Sequence, residues 1–298
     1  MSLTYESKEF PMDESKANQR VGVVDVGGGL RGIYAAGVFD RCIDDDVEFD
    51  VALGISAGSA NICSYISKQW GRNFRSYNDY AFRKEYMSLG NFLKKGSYID
   101  MDYIYSTLTN SDGEDPMDYA TFAASDTDWR IIAENAETGE SMYFGPESMS
   151  QDDYQPPKAS CSIPGICKPY EIDGVPYFDG ALGDTIPLEA AFDMGCTKVV
   201  LILTRPVDYV REPGSDLKMA KLIERKYPVS AERLRTRADR YNYGVALAKE
   251  LEKDGLVLIV APEDTCGVST LTRDHEALER LYLEGYFDGG RIKEFVEA

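Results

Sequence analysis

The chain has 298 residues, 43% hydrophobic and 28% charged, enough for the core of one large α/β domain. Its 32 basic and 51 acidic side chains leave a formal net charge of −19, which repels nucleic-acid phosphates and argues against nucleic acid as a partner. The single histidine, His275, excludes a multi-histidine metal site and leaves one candidate for an imidazole base. No metal or other cofactor is expected. The six cysteines form no CxxC pair and sit in mostly apolar contexts, as buried free thiols of a reducing compartment would.

Residues 1–20 are polar, carry both signs of charge and lack the basic start and apolar run of a secretory leader. They read as an N-terminal extension. No apolar stretch nears the roughly 20 residues that span a bilayer, so a soluble cytoplasmic protein is expected. Residues 21–26 (VGVVDV) form a short apolar run that ends in glycines, as a buried parallel strand does. A helix is expected over 33–42, a second strand over 50–55, and a helix over 57–70 with Ile62, Ile66 and Trp70 as its apolar stripe. Residues 86–125, rich in glycine and aromatics, interrupt the alternation and read as a cap or a surface insertion. Further strands are expected at 129–133, 141–144, 170–178, 198–204 and 256–261, the last two as near-continuous aliphatic runs covered on both faces. Helical patterns occupy 188–194, 215–226, 230–252 and 271–285. Strands alternating with helices predict a layered α/β fold with a mostly parallel sheet.

Gly54-Ile55-Ser56-Ala57-Gly58 is a G-x-S-x-G sequence between an expected strand and an expected helix. A sharp turn there lifts the serine hydroxyl clear of the sheet, and Gly54 and Gly58 let neighbouring backbone pass close by. The helix N-terminus beneath it adds partial positive charge near a developing oxyanion. Gly27-Gly28-Gly29-Leu30-Arg31-Gly32 follows the first strand and matches G-x-G-x-x-G, the dinucleotide fingerprint. The fit is poor, because Asp50 precedes the apolar residues Val51-Ala52-Leu53 instead of closing the second strand. A row of backbone donors holding an oxyanion is the better use of that loop.

Asp179-Gly180-Ala181 begins a loop after a strand-like run, and Asp184 in the same loop is a competing carboxylate suited to capping or ordering. The order Ser56, Asp179, His275 matches that of an α/β-hydrolase triad. His275, however, lies in TLTRDHEALERLY, which reads as an exposed helix start with Thr272 as N-cap.

Together, VGGGLRG, GISAG and DGA resemble, in that order, the signature of the patatin-like phospholipase family, over residues 20–205. Residues 159–164 (ASCSIP) are similar to the family's A-S-x-x-x-P block, while Val26 departs from the aspartate with which many members open the glycine loop. The resemblance implies a three-layer α/β/α fold over residues 21–205, with residues 206–298 as a helical C-terminal elaboration on the same core. It also implies a Ser–Asp dyad without histidine: Ser56 as nucleophile, Asp179 as base, and Gly28, Gly29 and Arg31 as oxyanion-hole donors, with Gly27 shaping the loop. The implied function is hydrolysis of lipid or other carboxylic esters through an acyl-enzyme. An α/β-hydrolase triad, a dinucleotide-binding oxidoreductase and a catalytically idle binding member are the competing readings. Residues 218–240 hold eight basic side chains against three acids, and Arg233, Arg237 and Arg240 share one helix face. That stripe is either a solvated face paired with the chain's acids or a transient contact with anionic headgroups.

Overall fold

In the computed structural model, which describes residues 19–298, the aliphatic runs pair as strands of one sheet. The expected N-terminal extension lies outside the described residues apart from Gln19 and Arg20. The strands are β1 (Val21–Asp25), β2 (Val51–Ile55), β3 (Asp128–Asn135), β4 (Ser141–Phe144), β5 (Tyr170–Ile172), β6 (Val175–Asp179), β7 (Lys198–Ile202) and β8 (Val257–Val260), in the order β5-β6-β3-β2-β1-β7-β8 with β4 also on β3. β3, β2, β1, β7 and β8 run parallel, and β4, β5 and β6 join antiparallel.

The helices are α1 (Ile33–Asp44), α2 (Ala57–Ile66), α3 (Arg72–Asn78), α4 (Leu89–Lys95), α5 (Tyr119–Ala123), α6 (Gln155–Ser160), α7 (Leu188–Asp193), α8 (Gly214–Ile223), α9 (Pro228–Lys253), α10 (His275–Asp288) and α11 (Ile292–Glu297). Successive strand residues feed opposite faces. Val23 and Ala52 pack with Ile33, Ile62 and Leu278 on one side, while Val24, Val51 and Leu53 pack with Ala191, Val245 and Leu251 on the other. Each large aliphatic side chain buried this way contributes about 1.5–3 kcal/mol. The architecture is the layered α/β fold with a mostly parallel sheet. None of the described helices is long and apolar enough to cross a membrane.

Three local expectations are corrected. The helix over 57–70 stops at Ile66, because Lys68 and Gly71 adopt left-handed φ of 54° and 72°; Trp70 is 53% exposed and donates to Asp44 at 3.2 Å. Residues 170–178 are not one strand but the β5–β6 hairpin, turned by Asp173 and Gly174 at φ 52° and 79°, as a two-residue primed turn requires. The last long helix begins at His275, not 271. Its N-cap is Asp274, which accepts the Ala277 N–H at 3.1 Å, whereas Thr272 accepts the Ser269 N–H. All six cysteines are free thiols, four buried, with Cys161 and Cys266 only half-buried.

β3 sets the position of the site. β4 takes one of its edges; along the other, β2 pairs with residues 128–132 and β6 takes over from Ala133. β2 is parallel to β3 and β6 antiparallel, so their C-terminal ends meet. Ile55 lies opposite Ile132, and Asp179 lies opposite the next residue, Ala133. The residue after Ile55 is Ser56.

Candidate active site

Ser56 sits at φ 54°, ψ −127°, between the end of β2 and the first turn of α2. That backbone conformation costs about 1–3 kcal/mol for a residue with a side chain, and the surroundings hold it there. Its N–H donates to the Ser160 hydroxyl at 2.8 Å, which in turn donates to the Ile132 carbonyl at 2.6 Å. Its carbonyl accepts from the Ser59 N–H and hydroxyl, at 2.9 and 2.6 Å. A side chain at Gly58 would strike the backbone and carboxylate of Asp25, and one at Gly54 would strike the first turn of α2, 2.8 Å from the Gly58 carbonyl. Three backbones cross here, so only glycine fits at either position.

The segment 160–162 holds both ends of the β2–β6 gap. Ser160 binds the Ser56 backbone, and the Ser162 carbonyl accepts the Asp179 N–H at 3.0 Å. The Asp179 carboxylate is buried, accepts the N–H of Ala181 at 2.9 Å and lines the same cavity as Ser56. Burial pushes Asp179 above the usual carboxylate range, opposed by the charge of Arg237, the nearby Ser56 hydroxyl, the Ala181 N–H and the charge of Arg211.

The glycine loop is fixed from below. The buried Asp25 carboxylate accepts the Gly27 N–H and Asn61 Nδ2, both at 2.8 Å, and burial raises it to about 6. Asn61 also donates to the Gly32 carbonyl at 3.0 Å and accepts from Tyr77 at 3.0 Å, which ties the loop to α2 and α3. The Gly27 carbonyl accepts the Thr204 hydroxyl at 2.5 Å. Gly28, at φ 140°, packs so close to Thr204 that no Cβ fits. Asp25 therefore organises the loop from one residue further back than the motif's usual aspartate.

Ser56 lines two cavities. One is an apolar cleft of about 540 Å³ including its open mouth, walled by Met87, Ile99, Met101, Ile104, Tyr105 and Leu271 among others. Residues 86–125 thus supply much of this wall. The second encloses about 810 Å³ including its mouth and is lined by Gly28, Gly29, Arg31, Asp179 and further arginines. Ser56, Asp179, Gly28, Gly29 and Arg31 therefore meet around one space, with Gly27 behind the loop. Asp184 lies elsewhere, accepting Tyr143 Oη at 2.7 Å, where it orders its own loop. His275 is exposed, hydrogen-bonded to Asn78 at 3.2 Å and stacked on Phe82 at 3.7 Å, and lines neither cavity.

The arginine face of α9 turns inward. Arg233 donates to the Gly139 carbonyl at 3.1 Å, and Arg240 to the carbonyls of Gly183 and Leu182 at 2.6 and 2.5 Å, holding the loop after Asp179. Arg237 lines the second cavity. Sequence reasoning missed Ser160, Thr204 and the inward arginines. The ASCSIP block pointed to the first, and the 3.6-residue spacing of the stripe was the signal for the last.

The fold and site place the chain among α/β proteins that present a serine at a strand-to-helix turn beneath a glycine loop. Residues 26–192, more than half of the chain, match the model of the patatin-like phospholipase family, and the chain belongs to that family of lipid acyl hydrolases. Residues 227–297 match a domain of unknown function (DUF6363). The uncharacterized protein YjjU of Escherichia coli (strain K12) is 31% identical over 202 residues, 63% of this chain; the match spans 52% of YjjU, about half its length. VipD from Legionella pneumophila has a similar fold, with a TM-score of 0.53 at 11% identity over 99% of this chain and 72% of VipD.

Proposed function

We propose that the chain hydrolyses carboxylic esters of lipids through a Ser56–Asp179 dyad. The observation that carries this reading is that Ser56 and the buried carboxylate of Asp179 line one cavity, at the junction of an apolar cleft and a glycine loop. Asp179 takes the hydroxyl proton as Oγ attacks the ester carbonyl, and the oxyanion forms against the N–H groups of Gly28, Gly29 and Arg31. Collapse expels the alcohol, which receives the proton from Asp179 and leaves an acyl group on Ser56. Water then attacks that acyl group, with Asp179 as base, and releases the fatty acid. The acyl chain occupies the apolar cleft. His275 takes no part, since it is engaged by Asn78 and Phe82.

Two features support contact with lipid surfaces and not nucleic acid, in a protein we propose to be cytoplasmic: the net charge of −19 disfavours phosphate-rich nucleic acid, and the side chains of α4 suit a bilayer. Leu89 and Leu93 are 73% and 84% exposed, beside Lys94 and Lys95 and next to Met87 and Ile99 of the cleft wall. This apolar and basic helix suits transient contact with a bilayer better than the inward arginines of α9 do. The test is reaction with a fluorophosphonate probe alongside hydrolysis of short p-nitrophenyl esters. Ser56→Ala is expected to lose the label and at least about 10³-fold in kcat/KM with its circular dichroism unchanged. Unlabelled wild-type protein would instead favour an idle binding member of the family.

A further inference from the structure

The second cavity holds a charge imbalance that the dyad chemistry does not require. Arg31, Arg205, Arg211 and Arg237 line it against two carboxylates, Asp179 and Asp216, in a chain whose overall charge is −19. Asp216 is fully buried and serves two of them, Arg211 at 2.8 Å and Arg237 at 3.6 Å. Arg31 and Arg205 meet no carboxylate among the described residues. Arg31 is only 7% exposed, its Nε has no hydrogen-bond partner, and among the described residues its side chain donates to the Thr270 hydroxyl at 3.4 Å. Arg205 lies over the ring of Tyr209, 4.2 Å from its centroid. Burial and the neighbouring charges of Arg205 and Arg211 push Arg31 down to about 10. Guanidinium groups crowded out of water without counterions are costly, and an anion entering the cavity removes that cost.

We propose that this cavity binds the phosphate of an anionic lipid headgroup, on the lipid whose ester Ser56 attacks. The inference rests on the esterase reading above. Phosphate oxygens match the forked donors of several guanidinium groups at once. In a glycerophospholipid the ester carbonyl is only a few bonds from the phosphate, and Ser56 lines this cavity and the apolar cleft together. Acyl chain and headgroup are thus assigned to the two cavities that share Ser56 in their lining. Arg205 and Arg211 follow β7, and Arg237 belongs to the stretch matched to a domain of unknown function, which acquires a role in substrate recognition.

The test compares lysophosphatidate with monoacylglycerol of the same chain, which differ only in the phosphate. Wild-type protein is expected to favour lysophosphatidate at least tenfold in kcat/KM, and Arg205→Gln to cut that ratio at least fivefold, mainly through KM. In parallel, Ser56→Ala protein is titrated calorimetrically with sn-glycerol 3-phosphate and with inorganic phosphate, the former expected to bind more tightly. Equal rates on the two lipids, or a ratio that Arg205→Gln leaves unchanged, would overturn the headgroup site while leaving the esterase reading intact. Failure of both phosphates to bind would overturn it as well. Inorganic phosphate binding as tightly as glycerol 3-phosphate, with no lipid preference, would assign the cavity to free phosphate instead. Hydrolysis surviving in Ser56→Ala would sink the esterase reading alone, since the titration still reports on the cavity.

Discussion

The segments before and after Arg205 build the same site by different means. The first supplies the proposed reacting groups and holds them with backbone: a strained elbow at Ser56, a glycine loop, and a register that sets β2 and β6 end to end on β3. The second supplies side chains that surround them, namely Arg211 and Arg237 over the polar cavity and Thr270 and Leu271 over the mouth. It reaches the first through close helix contact. Gly37 of α1 and Gly285 of α10 leave no room for a Cβ, because each faces the other helix's backbone. The difference teaches that Ser56 and Asp179, far apart in the chain, are set side by side by backbone register, whereas the walls around them are set by side chains on packed helices and loops.

Substitutions that break this division are ranked by the step they touch. Asp179→Asn removes the proposed base yet keeps an acceptor for Ala181, so ester hydrolysis should fall by about 10⁴-fold with the melting temperature little changed. Near-normal turnover in that variant would end the dyad reading. Arg237→Gln tests whether the second segment tunes the first. As the proposed base Asp179 works only when ionised, and its burial raises it, so activity is expected to fall as pH drops through that raised value. Arg237 is the largest influence holding Asp179 down, so its removal should move the acid limb of the pH–rate profile to higher pH. The expected loss is several-fold at the acid end and smaller at pH 8; an unmoved limb would leave Arg237 a wall residue only. His275→Ala should alter kcat/KM by less than about twofold, since the ring packs on Phe82 at the surface. A thousand-fold loss there would restore the imidazole triad and erase the contrast.

Much of the core was legible because its signals are local. The runs at β1, β7 and β8 are aliphatic on both faces, as strands covered by helices must be. The errors have local physical reasons as well. At Lys68 and Gly71 left-handed backbone ended a helix whose apolar spacing ran on to Trp70, and the Asp173-Gly174 turn was hidden inside a run of strand-forming residues. The arginine stripe was visible as a pattern, but periodicity tells which residues share a face and not what that face meets.

By itself, the sequence determined the family, the layered sheet and the motif residues that meet at Ser56. Each of these rests on backbone demands, a glycine where chains cross or a serine between strand and helix, that only a few residue types satisfy. Tertiary structure alone decided that Ser160 bridges Ser56 to β3, that Asp25 anchors the glycine loop, and that Arg31, Arg205, Arg211 and Arg237 converge on one cavity. Such convergence leaves no local trace, because a charged side chain is chemically at home on any solvated surface, and only the packing of α8 and α9 against the strand ends encloses it.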